Sequence, residues 1–327
     1  MVTSSMVQSP EDRSLHSAPC FVNLLLKRHV NLYYTQTLTL MHTMKFIDVH
    51  VHGFLKPADK NRFKENITIL IDQGLEKIII TALPFHDFDY HLKLSLAPDH
   101  IQPVIGTDNV DETTLLADWT RECGFDKIVT PFIDVRFLTE KIRETIRSSK
   151  ESGCRGIKGA FIPEPDRVLN IQGIPQALGI ALDRYCQIQE EIFTCAHELD
   201  LPLLYHINLS QYYDWIVSLL KKFPLLTINI PHLGYSLRMV TEILKRFENT
   251  YTDPSYLISL LKKNNRRYLS FISTYYRKIL SGSDAIITGA PDDIIAYPRY
   301  FDSLPLPDAN RDRILRKNAL TFLSLPT

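Results

Sequence analysis

No excess of charge of either sign marks this chain: 37 Lys and Arg stand against 37 Asp and Glu in 327 residues, and no dense basic stripe occurs. A polyanionic partner would need such a stripe, so neither nucleic acid nor an anionic membrane is expected to bind. A small-molecule substrate is the expected partner, with self-association left open. Cysteine is also scarce: Cys20, Cys123, Cys154, Cys186 and Cys195 are an odd number with no CxxC spacing. That pattern argues against a disulfide framework and for reduced thiols, hence for a cytoplasmic location. No GxGxxG or GxxxxGK(S/T) run is present to cradle phosphates, so no nucleotide cofactor is expected. Long apolar runs are missing too, since Phe21-Val-Asn-Leu-Leu-Leu26 is short and is followed at once by Lys27, Arg28 and His29. It lacks the basic lead and small-residue cleavage site of a secretory signal.

What is there can bury a large core, being 45% hydrophobic and 23% charged. The length suits two small domains or one barrel, and the barrel is the better fit. Residues 1–44 read as a poorly ordered N-terminal extension, with Met41 or Met44 as the expected natural start. From Lys45 onward, short apolar runs alternate with helical patterns, the signature of repeated βα units and a parallel sheet. After a first strand at 45–53, strands are expected at 77–83, 127–136, 154–161, 203–207, 226–230, 250–252 and 278–281, with an extra one at 101–105. Helices are expected at 60–74, 138–152, 177–199, 211–222, 236–247 and 255–275. Residues 45–327 are thus expected to form an α/β fold, a single-domain (β/α)8 TIM barrel, with its active site at the C-terminal strand ends.

The first strand carries Asp48-Val49-His50-Val51-His52. Strict strand alternation would project Asp48, His50 and His52 from one face, where two imidazoles can grip one metal ion. A lone histidine pair is more often just a hydrogen-bonded feature of a strand. Three further strand-like runs end in suitable donors, however: Leu201-Pro-Leu-Leu-Tyr-His206, Leu226-Thr-Ile-Asn-Ile-Pro-His232 and Ile279-Leu-Ser-Gly-Ser-Asp284. Imidazole and carboxylate at the ends of different strands suit a divalent cation such as zinc.

Asp48-His50-His52, Gly156-Ile157-Lys158, His206, His232-Leu233-Gly234, Tyr251-Thr-Asp-Pro-Ser255 and Gly282-Ser283-Asp284 together resemble the amidohydrolase superfamily, in its amidohydrolase-related branch. The resemblance spans 45–327 and includes the closing run Ile314-Leu-Arg-Lys-Asn-Ala319. It implies one catalytic ion, most often zinc and sometimes manganese, on His50, His52, His206 and Asp284. Asp284 would also act as general acid–base, and His232 would stabilise an oxyanion or orient water. Asp48 is expected behind the ligands, accepting an imidazole N–H. Lys158 either bridges two ions as a carboxylated lysine, with His206 and His232 on the second ion, or serves as a plain ion-pair partner. His86 and Arg136 are candidate substrate contacts, each with a solvated loop or structural salt bridge as the plainer alternative. Tyr212, Tyr213 and Trp215 line an apolar wall or simply pack.

The resemblance implies metal-dependent hydrolysis of a lactone, ester or amide through a metal-activated water. The alternative is non-oxidative decarboxylation of a small carboxylic acid. A non-catalytic scaffold would not be expected to keep so many buried polar donors. TatD-like nucleases share the histidine pair, but this chain has Gly156-Ile-Lys-Gly159 where they place a glutamate.

Overall fold

The structure, a computed structural model, describes residues 44–84, 95–96, 111–166 and 170–326. The expected 1–44 extension, apart from Met44, and the expected strand at 101–105 lie outside the described residues, as does His86. In chain order the elements are β1 (Phe46–His52), α1 (Lys60–Asp72), β2 (Leu75–Ala82), α2 (Glu112–Glu122), β3 (Val129–Asp134), α3 (Ile142–Glu151) and β4 (Ile157–Phe161). They continue as α4 (Ile174–Leu178), α5 (Leu182–Glu198), β5 (Leu203–Ile207), α6 (Leu209–Lys222), β6 (Ile228–Ile230), α7 (Leu237–Arg246) and β7 (Thr250–Thr252). The last part holds α8 (Ile258–Lys263), α9 (Asn265–Tyr275), β8 (Ala285–Ile286), α10 (Pro291–Ser303), α11 (Asp308–Asp312) and α12 (Asn318–Phe322).

The helices form where apolar residues recur at helical spacing and a polar side chain caps the start. In α7, Val240, Ile243 and Leu244 are buried on one stripe, and Ser236 Oγ accepts from the Met239 amide at the N-terminus. In α2, Asp111 accepts from the Thr114 amide at 2.7 Å and the buried stripe is Leu116, Trp119 and Thr120. The strands are short Ile- and Val-rich runs covered on both faces, as parallel strands require. Two expected helices are split. Gly179, at φ +67°, caps α4 in the left-handed conformation before α5 begins, and α8 ends at Asn264 before α9 starts.

Within the sheet the strand pairings are parallel, in the order β7-β6-β5-β4-β3-β2-β1-β8. The chain just ahead of β8 brings the two edges of this curled sheet together. The Leu280 amide donates to the Thr252 carbonyl of β7, and the Ser281 carbonyl accepts from the Val49 amide of β1, both at 2.9 Å. The eighth strand was expected at 278–281. Ladder pairing with β1 instead falls on Ala285–Ile286, because the Gly282–Asp284 turn interrupts the run.

Inside the sheet, Ile47, Val49, Ile79, Phe132, Leu204 and Leu280 meet in one cluster, with Ala319 and Phe322 of α12 joining it. These strands are not all neighbours, so the cluster is the filled interior of the curl. Phe46 and Val51 belong to the other core, shared with the helices. The pairing of β1 with β2 shifts register between Asp48 and Val51. Strict alternation therefore fails within β1: Val49 and Val51 pack in different cores, and Asp48, His50 and His52 do not share one face as expected. Such an irregularity re-aims side chains at a strand end.

Candidate metal centre

His50 and His52 end β1, and Asp284 follows the turn that precedes β8. Their nitrogen and oxygen atoms lie within 4.8 Å of one another. Asp284 Oδ1 is 3.1 Å from His50 Nε2 and 2.9 Å from His52 Nε2. The opposite ring nitrogens are anchored: His50 Nδ1 lies 3.1 Å from Ser255 Oγ, and His52 Nδ1 3.1 Å from Thr81 Oγ1. Two Nε2 atoms turned inward, two Nδ1 atoms held by hydroxyls and one carboxylate form a donor set that fits a divalent cation. Asp284 has φ +64°, and its amide donates to the His50 carbonyl at 2.7 Å. An aspartate tolerates this conformation better than most residues. Gly282 is needed beside it, since a Cβ there would stand 3.0 Å from His50 Cβ and 3.1 Å from Asp253 Cγ.

His232 lies close by, with Nε2 3.9 Å from Asp284 Oδ2. Its Nδ1 is 3.0 Å from the Ser255 carbonyl, which can only accept, so Nδ1 carries the proton in the neutral ring and Nε2 keeps a lone pair. His232 opens a run of four residues with positive φ, at +57°, +51°, +58° and +57° through Tyr235. Left-handed backbone costs non-glycine residues about 1–2 kcal/mol each, and such strain concentrates at functional sites. Gly234 is the one glycine of the run, and a Cβ on it would fall 2.3 Å from Leu209 Cδ1. The turn places Tyr235 against both His232 and His206, with ring centres 5.3 and 5.5 Å apart.

The other expected residues are distributed around this centre. His206, at the end of β5, stands outside the His50, His52 and Asp284 set, and its ring meets His232 edge-on at 5.1 Å. Lys158 is fully buried on β4, with Nζ 3.0 Å from His50 Nε2. Arg136 does not end a strand as a free cation: its Nε donates to Asp134 Oδ1 at 2.9 Å, and the guanidinium forks onto that buried carboxylate. Asp48 behaves differently from expectation. Its Oδ1 accepts from the backbone amides of His50 and Ser283, at 2.9 and 3.2 Å, so it ties β1 to the turn before β8. The shift in register within β1 turns it away from the imidazoles.

Their place behind the imidazoles is taken by residues not singled out as site residues from the sequence. Asp253 and Ser255 sit in the turn after β7, where the Ser255 amide donates to Asp253 Oδ1 at 3.0 Å. Thr81, near the end of β2, stands behind His52, whereas Asp134 at the end of β3 holds Arg136. The signal was present, because a polar residue closing an apolar strand is the pattern that marked His206. Phe161 stacks on Trp215 at 4.6 Å and meets Tyr212 edge-on at 5.2 Å, an aromatic cluster beneath the start of α6.

Electrostatics follow from burial. His52 is pushed down to about 3 and His206 well below its ordinary range, mainly by loss of solvent, so both rings are neutral at pH 7. Burial lowers His232 as well. For His50, burial and Lys158 act downward, but Asp284 and Asp253 outweigh them and the net direction is up. Burial would raise Asp284, yet its interactions with the surrounding imidazoles, His50 first, and the bonds from His50 and His52 hold it well below the usual carboxylate range. Lys158 is lowered to about 8 by burial and then by Arg136. Asp48 is raised to about 7 by burial.

Among curated proteins, none matches this chain in sequence. Solved structures share its fold at low identity. One is a probable 2-pyrone-4,6-dicarboxylic acid hydrolase from Acinetobacter baumannii with citric acid bound, 13% identical over 86% of this chain and 100% of the other, at a TM-score of 0.56. An amidohydrolase from Burkholderia multivorans with bound zinc is 12% identical over 86% and 100%, at 0.51. A 2,6-dihydroxybenzoate decarboxylase complexed with 2,6-dihydroxybenzoate is 14% identical over 86% and 99%, also at 0.51. The amidohydrolase family model matches residues 88–325, from beyond the β1 histidines almost to the C-terminus. With most of its length matched and its histidine pair set beside Asp284, the chain belongs to the amidohydrolase family.

Proposed function

We propose that this protein is a metal-dependent hydrolase of a carbonyl-containing small molecule such as a lactone, ester or amide, with residues 45–327 as its catalytic barrel. The observation that carries the reading is the convergence of His50 Nε2 and His52 Nε2 on Asp284 Oδ1. A divalent cation held by these three groups, with zinc the first choice and manganese the second, supplies Lewis acidity and brings the pKa of a water to about 7. His206 stands beside His232 as a further donor. Asp284 is ionised and can take a proton from water and return it to the leaving group. Neutral His232 presents a lone pair at Nε2, so it orients water by accepting its hydrogen. Donation to an oxyanion would require the protonated ring, which burial disfavours. Lys158, brought to about 8, has a share of free amine near neutral pH, the form that carboxylation needs, so metal stoichiometry decides between one ion and two. A cytoplasmic location and a small-molecule partner belong to the same reading.

The second reading is non-oxidative decarboxylation of a small acid. Two cations favour a carboxylate in this site: Lys158 against His50, and Arg136, whose charge acts on His52, His206 and Lys158. The test is turnover of a lactone, ester and amide panel beside a carboxylic-acid panel, with Zn2+ or Mn2+ supplied. Hydrolysis lost in Asp284→Asn supports the first reading. Release of CO2 with no hydrolysis moves the protein to the second, and no metal binding by the wild type defeats both.

A further inference from the structure

Ser255 is fully buried, and its hydroxyl touches two histidines from different strands: His50 Nδ1 at 3.1 Å and His232 Nδ1 at 3.0 Å. A hydroxyl can accept twice and donate once. His232 Nδ1 also faces the Ser255 carbonyl at 3.0 Å, which requires a proton on that nitrogen. His50 Nδ1 also faces Asp253 Oδ2 at 3.7 Å, a carboxylate oxygen toward which the ring can donate. The carboxylate is fixed in turn by Asn229 Nδ2 at 2.7 Å and the Ser255 amide at 3.0 Å. The contacts around Ser255 are met together when Ser255 Oγ–H donates to Asp253, both Nδ1–H groups donate to Ser255 Oγ, and the freed His50 Nε2 accepts from Lys158 Nζ at 3.0 Å.

We propose that Ser255, backed by Asp253, is a positioning residue that locks His50 and His232 together in the Nδ1–H tautomer. Both rings then keep an Nε2 lone pair on the open side of the site, where Lys158 Nζ donates to that of His50 at 3.0 Å. The two imidazoles come from β1 and from the turn after β6, strands that do not pair with each other, so a single hydroxyl links separate parts of the site. What those lone pairs serve rests on the metal reading above; the tautomers themselves do not.

The experiment is long-range 1H–15N correlation on metal-free protein labelled with 15N-histidine, with His50→Gln and His232→Gln spectra assigning the signals. Wild type is expected to show both rings protonated at Nδ1. Ser255→Ala is expected to move one or both rings toward Nε2–H, while Ser255→Thr, which keeps the hydroxyl, retains the wild-type pattern. Zn2+ affinity, read by competition with a chromophoric chelator, should fall about 10- to 100-fold in Ser255→Ala and recover in Ser255→Thr. Asp253→Asn replaces the carboxylate by an amide at constant volume and should shift the same signals, which keeps the test decisive if Ser255→Ala does not fold. Unchanged tautomers in folded Ser255→Ala, or wild-type rings protonated at Nε2, overturn the proposal. If wild type binds no Zn2+ yet shows the Ser255-dependent tautomers, the hydrolase reading fails and the lock stands.

Discussion

Glu112 is buried at the start of α2, where Oε2 accepts from the Leu83 amide at 3.1 Å. Burial, with the Asp134 charge adding to it, raises its carboxyl to about 8. Between an unfolded value near 4.5 and this folded one, the native state binds more protons than the unfolded state. Stability from this group is therefore full below about pH 4.5 and is lost as pH rises through about 8. Glu112→Gln is expected to flatten that decline, making the variant more stable than wild type at pH 9 by a few kcal/mol, on the order that such shifts give. Urea unfolding across pH 5–9 checks it, and parallel curves would show that Glu112 does not titrate in this window. Gly234 sets a second case. Gly234→Ala adds a Cβ at 2.3 Å from Leu209 Cδ1 to a backbone already at φ +58°, and should cost about 1–3 kcal/mol in the same assay. An unchanged midpoint would mean that the left-handed turn relaxes freely.

Among the elements, α12 has the least expected place. Phe322 enters the interior of the sheet, 6.3 Å from Phe132 of β3 and 5.9 Å from Tyr251 of β7. Asn318 Nδ2 donates to the Tyr276 and Ile279 carbonyls, at 2.6 and 2.8 Å, which fixes the strand run before β8. Phe322→Ala should destabilise by about 3–5 kcal/mol, the usual cost of emptying a buried aromatic site, and a loss under 1 kcal/mol would place the ring outside the core. The strands themselves were legible: β5 and β7 fall at the residues expected, because Leu203–Ile207 is a short, mostly apolar run and Thr250–Thr252 is a run of β-branched and aromatic residues, both set between helical stretches. The change of phase inside β1 was not, since Val49 and Val51 are identical in type and only the partner strand's register separates them. The same cause concealed Asp48, whose spacing from His50 suggested a ring partner and whose actual partners are backbone amides. Ser255 and Asp253 stood in the sequence only as part of the family-resembling run Tyr251–Ser255, and the contact of Ser255 with His50 crosses 205 positions, which no local pattern encodes.

For the molecule as a whole, the metal reading has a thermodynamic signature independent of any substrate. A cation that binds only the folded chain stabilises it by about 2.7 kcal/mol when present at a hundredfold excess over its Kd. Zn2+ or Mn2+ should therefore raise the Tm of wild type and leave that of His52→Gln or Asp284→Asn nearly unmoved. Equal shifts in all three proteins would locate the binding elsewhere. Scanning calorimetry with and without the metal ion is the readout; among the described residues, no helix is long and apolar enough to cross a membrane.

The seam between β7 and β1 sets the order in which this site can come into being. His52 and Asp284 are 232 positions apart, and the bonds that join the sheet's edges pass through Leu280 and Ser281. Loop closure over such a span is a late and slow event in folding. As the chain leaves the ribosome, the histidine pair emerges first, and its carboxylate follows only when nearly all of the curled sheet has been made. The donor set is in that sense a clasp, fastened only when the ring is shut, and an ion arriving earlier would find two imidazoles and no third hand.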